Sequence, residues 1–427
     1  MIVALVFIGF VLLGMPIGFA IGAAGVIGLI HMGGDQFLAI GPSRIFNGLN
    51  IFPFLAMPFF ILAGEIMNHT GITDRLVRLA QVLVGHFRGG LAHTNMLASV
   101  FFAGLTGSAT ADAAAFGRTL VPAMVKEGYK RDYACAVTAA GSIIGPTIPP
   151  SGLMVVYGSL MGVSIGGLFA AGILPGLIIC LVCMAVIAVG ATRNSLPKAE
   201  RRANLREIWD VFVSSLTALL MPLIILGGIL GGVVTPTEAA SIAVAYALFI
   251  GAFVYRTLTV KALYTMLVRT ARITGVIFVI IAFAGILGWW MSFERIPQLL
   301  AETILGMADN RYLVIAIIIG FLLIVGMVMD ITAILIILAP VLVPLTAQVG
   351  LSPIHAGIIF VLALNISLMT PPVGACLFVL SSVTGEKLER IAIKLAPFLV
   401  AEVAVLFLFA FWESAALFLP RAFGFAP

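Results

Sequence analysis

Charge is what this chain has least of. Its 427 residues include only 23 Lys and Arg and 18 Asp and Glu, 10% in all, against 62% hydrophobic residues and a mean hydropathy of +1.21. Soluble domains carry roughly 25% charged residues, and a bilayer span needs about 20 mainly apolar ones. Uncharged runs of that order recur at residues 2–34, 45–64, 133–192, 211–237, 239–255, 312–329 and 331–385. A soluble fold is excluded, and an all-α polytopic membrane protein is predicted. Histidine and cysteine are also scarce. The five histidines share no metal-ligand spacing, and all four cysteines (Cys135, Cys180, Cys183 and Cys376) fall in apolar segments. Cys180-x-x-Cys183 lies in mid-span and reads as small buried residues rather than as a redox or metal motif. A P-loop is missing, so this chain does not hydrolyse ATP. An enzyme would need a clustered acid, base or metal constellation, and intramembrane histidine–carboxylate sets are absent. No cofactor or transition metal is expected.

The net charge of +5 does not imply nucleic acid, because the basic residues stand in short loops between apolar runs, the pattern of cytoplasmic loops in membrane proteins. The N-terminus lacks a basic n-region and a small-residue cleavage site, so residues 2–31 read as a retained span. Around Pro16 that span is either one long tilted helix or two short ones.

Against this apolar background a Pro-Pro pair occurs twice, at Pro149-Pro150 and Pro371-Pro372, 222 residues apart. The same offset places Gly104 on Gly326, Thr110-Ala111 on Thr332-Ala333, Leu120-Val121-Pro122 on Leu342-Val343-Pro344, Gly128 on Gly350 and Gly152 on Gly374. Over residues 104–152 it yields 12 identities in 49 ungapped positions. An internal repeat whose helices break at matching places is the sequence mark of a secondary transporter, with the ligand site at the breaks.

Loop charges set the topology. The segment 193–207, RNSLPKAERRANLRE, holds five basic and two acidic residues and reads as cytoplasmic, as do 75–88, 126–131, 256–272 and 387–394. Loops 32–50, 293–311 and 346–355 have little basic excess and face outward. Residues 93–124 are then flanked by cytoplasmic loops on both sides, yet are too apolar for water. They must form a re-entrant helical hairpin with its tip near Gly107-Ser108. Residues 315–344, flanked by outward loops, must do so from the opposite face, so the two copies are inverted. Such irregular backbone is tolerated only when buried in protein or lining a wet cavity. Neither Gly145–Gly152 nor Thr370–Gly374 can be continuous helix, because proline removes a donor and displaces the preceding residue from helical geometry. Each break frees carbonyl oxygens suited to Na⁺ and half-helix N-termini suited to anions.

These arguments yield candidate residues. Asp112 and Asp330 lie at the two tips, where an intramembrane carboxylate is costly and points to function. Asp330 is expected either to coordinate a cation or to lock its tip by a hydrogen bond. Asp112 is expected to coordinate a cation or to cap the returning helix. Thr106, Ser108, Thr110 and Thr332 supply hydroxyls beside the carbonyls of Gly145, Pro149, Gly326, Thr370 and Pro371, a set that suits a hard monovalent cation. Ser108, Ser142, Ser151, Asn365 and Gly374 are candidates for the substrate carboxylate. Thr147 and Ser367 flank the breaks as well. Thr237 reads as an N-cap with Glu238 in the first turn, a structural role. Glu65, Arg44, Trp289 and Trp290 read as interfacial anchors; Glu402 and Glu413 lie in the last span with no partner that the sequence names, pairing with another subunit being one option. Two near-equivalent half-sites predict at least two Na⁺ per substrate.

Leu105-Thr-Gly-Ser-Ala-Thr-Ala-Asp-Ala-Ala-Ala115, Gly326-Met-Val-Met-Asp-Ile-Thr-Ala333, Ile148-Pro-Pro-Ser151 and Thr370-Pro-Pro-Val-Gly374 resemble the large membrane subunit of tripartite ATP-independent periplasmic (TRAP) transporters. So do Phe54-Leu-Ala-Met-Pro-Phe-Phe-Ile-Leu-Ala-Gly64 and Gly227-Gly-Ile-Leu-Gly-Gly-Val-Val-Thr-Pro-Thr-Glu-Ala-Ala240. The resemblance spans essentially the whole chain. It implies a multi-pass bacterial inner-membrane symporter that takes up organic acids with Na⁺. It also implies a periplasmic substrate-binding protein and a small four-helix membrane subunit as partners, the latter a separate chain. In such an elevator, a transport domain made of 93–163 (hairpin 93–124, broken helix 134–163) and 315–385 (hairpin 315–344, broken helix 356–383) slides against a scaffold. The scaffold is 1–92, 164–314 and 386–427. C4-dicarboxylates, sialic acid, other sugar acids and keto acids all remain open as substrates. The alternative is a stand-alone ion-coupled dicarboxylate symporter, whose tips would carry Asn-rich motifs where this chain has Gly-Ser-Ala-Thr and Met-Asp-Ile-Thr.

Overall fold

A computed structural model describes residues 2–193, 196–197, 202–307 and 310–426. Lys198 and Arg201, part of the basic segment 193–207, lie outside the described residues. Among the described residues there is no strand. The chain opens with α1 (Ile2–Leu12), α2 (Ile17–Gly33), α3 (Asp35–Leu38) and α4 (Gly41–Leu49). A 3₁₀ turn leads to α5 (Ala56–His69), α6 (Ile72–Val84), α7 (Gly90–Thr106) and α8 (Ala109–Lys126). Then follow α9 (Arg131–Ser142), α10 (Ile144–Thr147), α11 (Gly152–Met161), α12 (Ile165–Arg193) and α13 (Leu205–Leu230). The second half comprises α14 (Pro236–Phe249), α15 (Val260–Phe293), α16 (Ile296–Met307), α17 (Arg311–Gly326) and α18 (Ile331–Gln348). It closes with α19 (Pro353–Ser367), α20 (Ala375–Thr384), α21 (Leu388–Phe411), α22 (Glu413–Ala416) and α23 (Phe418–Ala422). Among the described residues, seven helical segments are long and apolar enough to cross a membrane, and an eighth if the pair α4 and Phe52–His69, bent by 60°, counts as one. The protein is an integral membrane protein. Residues 2–31 form two helices, because Pro16 begins α2 and the chain turns at Gly14.

The 222-residue offset reaches beyond the breaks. It carries α8 onto α18 residue for residue, α9 onto the start of α19, α7 and α11 onto α17 and α20 within a residue or two, and the start of α12 onto the start of α21 within one. It also carries α2 onto α14 and its π-helical extension Ile250–Val254, α4 and α5 onto α15, and α6 onto α16. The copies differ at one bend: α15 runs straight where Pro53 interrupts the first copy, its equivalent being Gly275.

Packing is exchanged between the copies. α2 lies along α15 and α14 along α5, while α8 lies against α20 and α18 against α11. Without a hydrophobic drive between helices in lipid, such contacts rely on close approach of small residues. The α2 face is Gly18, Gly22, Gly25 and Gly28, set against Val279, Phe283, Ile286 and Trp290. Its counterpart on α14 is the buried row Ala239, Ala240, Ala243 and Ala247. Trp290 therefore fills a helix seam, contrary to its reading as an interfacial anchor. Arg44 lies over the Trp289 ring at 5.4 Å, and Glu65 pairs with Arg269 at 3.3 Å.

Two further expectations are corrected. The cap of α14 is Thr235, not Thr237: Pro236 takes the first helical position, and Glu238 closes a capping box by accepting from Thr235 N at 2.8 Å. Glu402 and Glu413 have partners within this chain. Glu413 pairs with Arg311 at 2.7 Å, and Glu402, fully buried, accepts from Cys183 Sγ at 3.3 Å.

Candidate functional site

Hairpin one is α7 and α8, joined at Gly107-Ser108. Gly107 has φ +57, and an added Cβ would stand 2.7 Å from Pro150 O, so the tip rests directly on the first Pro-Pro segment. Ser108 is the N-cap of α8, accepting from Ala111 N at 3.5 Å, with its hydroxyl 3.3 Å from that of Thr110. This leaves Asp112 free of the capping role. The Asp112 side chain is fully buried and accepts a hydrogen bond from Thr106 Oγ1. Its other oxygen, Oδ2, has no hydrogen-bond partner among the described residues and faces Gly145, which approaches too closely to admit a Cβ. Thr106, Asp112 and Gly145, three of the cation candidates, are thus brought together.

The first break runs from α10 through Ile148, Pro149 and Pro150 to the start of α11, and Pro149, Pro150 and Ser151 are all buried. Ser151 Oγ likewise lacks a partner among the described residues. Ser142 donates to Ala139 O at 2.7 Å and Thr147 to Ile143 O at 2.7 Å. The hydrogen of Ser142 is therefore spent on its own helix, and that residue meets a substrate only through a lone pair.

Hairpin two, α17 and α18, turns through Met327–Met329. Asp330 holds the position that the repeat assigns to Ser108, and it has the same role: it is the N-cap of α18, with Oδ1 accepting from Thr332 N at 3.0 Å and Ala333 N at 3.1 Å. The tip-locking hydrogen bond expected of it is formed, and the residue is exposed. Gly326 packs on the Ser367 side chain, whose hydroxyl donates to Leu364 O at 2.7 Å. Thr370 donates to Ile366 O at 2.8 Å. Gly374, at φ +56, starts α20. Both Pro-Pro peptides are cis.

The two breaks are alike in backbone but not in surroundings. Pro149–Ser151 is buried under a hairpin tip, whereas Pro371, Pro372 and Val373 are exposed, as are Val328 and Asp330 of the second tip. The first break is buried beside a carboxylate that has one oxygen without a hydrogen-bond partner among the described residues. The second is open and offers backbone carbonyls and a capped helix end.

Asn365, at the end of α19, joins the halves: its Nδ2 donates to Thr147 Oγ1 at 3.1 Å. This tie, and the contact of Gly107 with Pro150, were not legible in sequence. The only available signal was that polar residues flank each break.

A family model described as "Tripartite ATP-independent periplasmic transporter, DctM component" matches residues 4–415. The chain is 38% identical over 421 residues to the sialic acid TRAP transporter large permease protein SiaM of Vibrio cholerae, covering 97% of each chain. It is 38% identical over 405 residues to the 2,3-diketo-L-gulonate TRAP transporter large permease protein YiaN of Escherichia coli, covering 95% of each. Its fold is similar to that of the YdaH transporter of Alcanivorax borkumensis, with a TM-score of 0.61 at 15% identity over 89% of both chains.

Proposed function

Since the chain belongs to the DctM family of tripartite ATP-independent periplasmic transporters, as a large permease of the inner membrane, we propose that it is not an enzyme but takes up an organic acid by Na⁺ symport. The substrate arrives on a periplasmic binding protein, and a small membrane subunit packs beside this one. SiaM and YiaN are named for acids, sialic acid and 2,3-diketo-L-gulonate. A carboxylate cargo agrees with helix N-termini at the breaks.

The observation that carries the reading is Asp112. A buried carboxylate with one oxygen unpaired is costly unless a cation or a proton meets it. Beside it stand the Thr106 hydroxyl and the backbone of Gly145, in the short helix that leads into the break. A small hard cation takes such ligands. The second cation would sit at the carbonyls of Thr370 and Pro371 with Gly326 and the tip capped by Asp330. Substrate would lie between the breaks, near Ser108, Ser151, Asn365 and Gly374.

The moving body in this reading holds both hairpins and both broken helices. We place α12 and α21 with it, not with the scaffold as the sequence suggested. α12 packs on α7, α10 and α11, and α21 packs on α9 and α19. The scaffold is then α1–α6 and α13–α16. Uptake by proteoliposomes holding the three-component system should require an inward Na⁺ gradient and respond to an imposed membrane potential. Equal uptake in Na⁺-free buffer under a proton gradient would overturn the symport reading.

A further inference from the structure

Asn365 and Thr147 form a side-chain hydrogen bond that links the two breaks, and both side chains are fully buried. Asn365 lies in the last turn of α19, five residues before Thr370. Thr147 closes α10, two residues before Pro149. The hydrogen of the Thr147 hydroxyl is committed to Ile143 O at 2.7 Å, so toward Asn365 it can only accept. That fixes the amide: Nδ2 must face Thr147, and Oδ1 must face away. Oδ1 has no partner among the described residues, although it is buried. A buried amide carbonyl is normally hydrogen-bonded. The bond thus orients an acceptor from the second copy beside the break of the first.

The repeat does not duplicate this device. At the 222 offset Thr147 corresponds to Met369 (147 + 222) and Asn365 to Ile143 (365 − 222), neither able to form such a bond. This link is therefore made once and not repeated in the other direction.

We infer that Asn365 is a positioning residue through which the two half-sites sense each other's occupancy, so that cations load cooperatively. Ordering the first break around a cation fixes Thr147, and through it the end of α19 that leads into the second break. By linkage, loading the second break favours the first to the same degree. Neither residue need touch a cation for this to hold.

The inference rests on the Na⁺-symport reading, and the test separates the two. Initial uptake is measured against Na⁺ concentration in proteoliposomes holding the complete transporter and its binding protein. The variants are Asn365→Ala, Thr147→Val and Thr147→Ser. In the unmodified protein, coupling of two sites gives a Hill coefficient near 2, and loss of coupling brings it to about 1. Asn365→Ala and Thr147→Val should give that fall and raise half-saturating Na⁺, while Thr147→Ser, which keeps the hydroxyl, should retain the sigmoidal curve. Thr147→Val is close to isosteric and probes the bond from the other side should Asn365→Ala fail to fold. Variants that lose maximal rate but keep the Hill coefficient would overturn the link and leave Na⁺ symport standing. Uptake by the unmodified protein that is indifferent to Na⁺ would overturn both.

Discussion

Asp112 and Asp330 occupy the two hairpin tips, but they meet different surroundings. Asp112 lies one turn inside α8, buried, with Oδ2 toward Gly145. Asp330 is exposed and bonded to two amides of its own helix. Their substitutions should therefore diverge. Asp112→Asn keeps an acceptor for Thr106 but removes the charge a cation needs. Uptake should fall at least about tenfold, the factor that about 1.4 kcal/mol of lost binding produces, with expression and thermal stability retained. Wild-type uptake and Na⁺ dependence would refute a cation role. Asp330→Asn should retain most uptake, because Asn caps a helix about as well as Asp does. Asp330→Ala should loosen the tip by about 0.5–2 kcal/mol. Abolished transport in Asp330→Asn, with the protein folded, would show that the charge itself is required there. Sequence placed both carboxylates at tips, since charge in an apolar run is conspicuous. It did not tell which was capped, because the N-cap depends on where the helix begins, to the residue.

At the scale of elements, the chain's helices are held by closeness more than by burial from water. The α2–α15 seam shows why: a Cβ at Gly28 would stand 2.8 Å from the Trp290 ring, and one at Gly22 2.6 Å from the Phe283 ring. Gly28→Leu should destabilise by about 1–3 kcal/mol through forced displacement of a packed aromatic. Thermal unfolding in detergent checks this; an unchanged midpoint would mean that the seam is not rigid. The interruptions at Pro16 and at the Pro-Pro pairs were legible from proline, and Pro53 stands at a further one. The partners of each helix were not. In lipid-spanning helices that are apolar all round, no stripe marks the face that meets protein.

For the molecule as a whole, the repeat predicts opposed orientation. Lys126 and Gln348 end α8 and α18, the helices that superimpose residue for residue under the offset. The four native cysteines are all buried, so an impermeant thiol reagent should report on introduced ones. Lys126→Cys should react only from the cytoplasm and Gln348→Cys only from the periplasm. Labelling of both from one side would establish parallel copies and remove the case for two hairpins meeting at the midplane.

The amino-acid sequence by itself determined the membrane class, the positions of the breaks and the repeat. Each depends on quantities that act locally or add along the chain: hydropathy over about 20 residues, the missing donor of proline, and identity at a constant offset. The tertiary structure alone decided which oxygens are left unpaired, that Gly107 rests on Pro150, and that Asn365 reaches Thr147 across 218 positions of chain. It also set α12 and α21 against the broken helices and gave Glu402 a partner in Cys183. These outcomes depend on which atoms of distant segments come within about 3 Å, and a chain whose interior and lipid-facing surfaces are equally apolar carries no compositional trace of them.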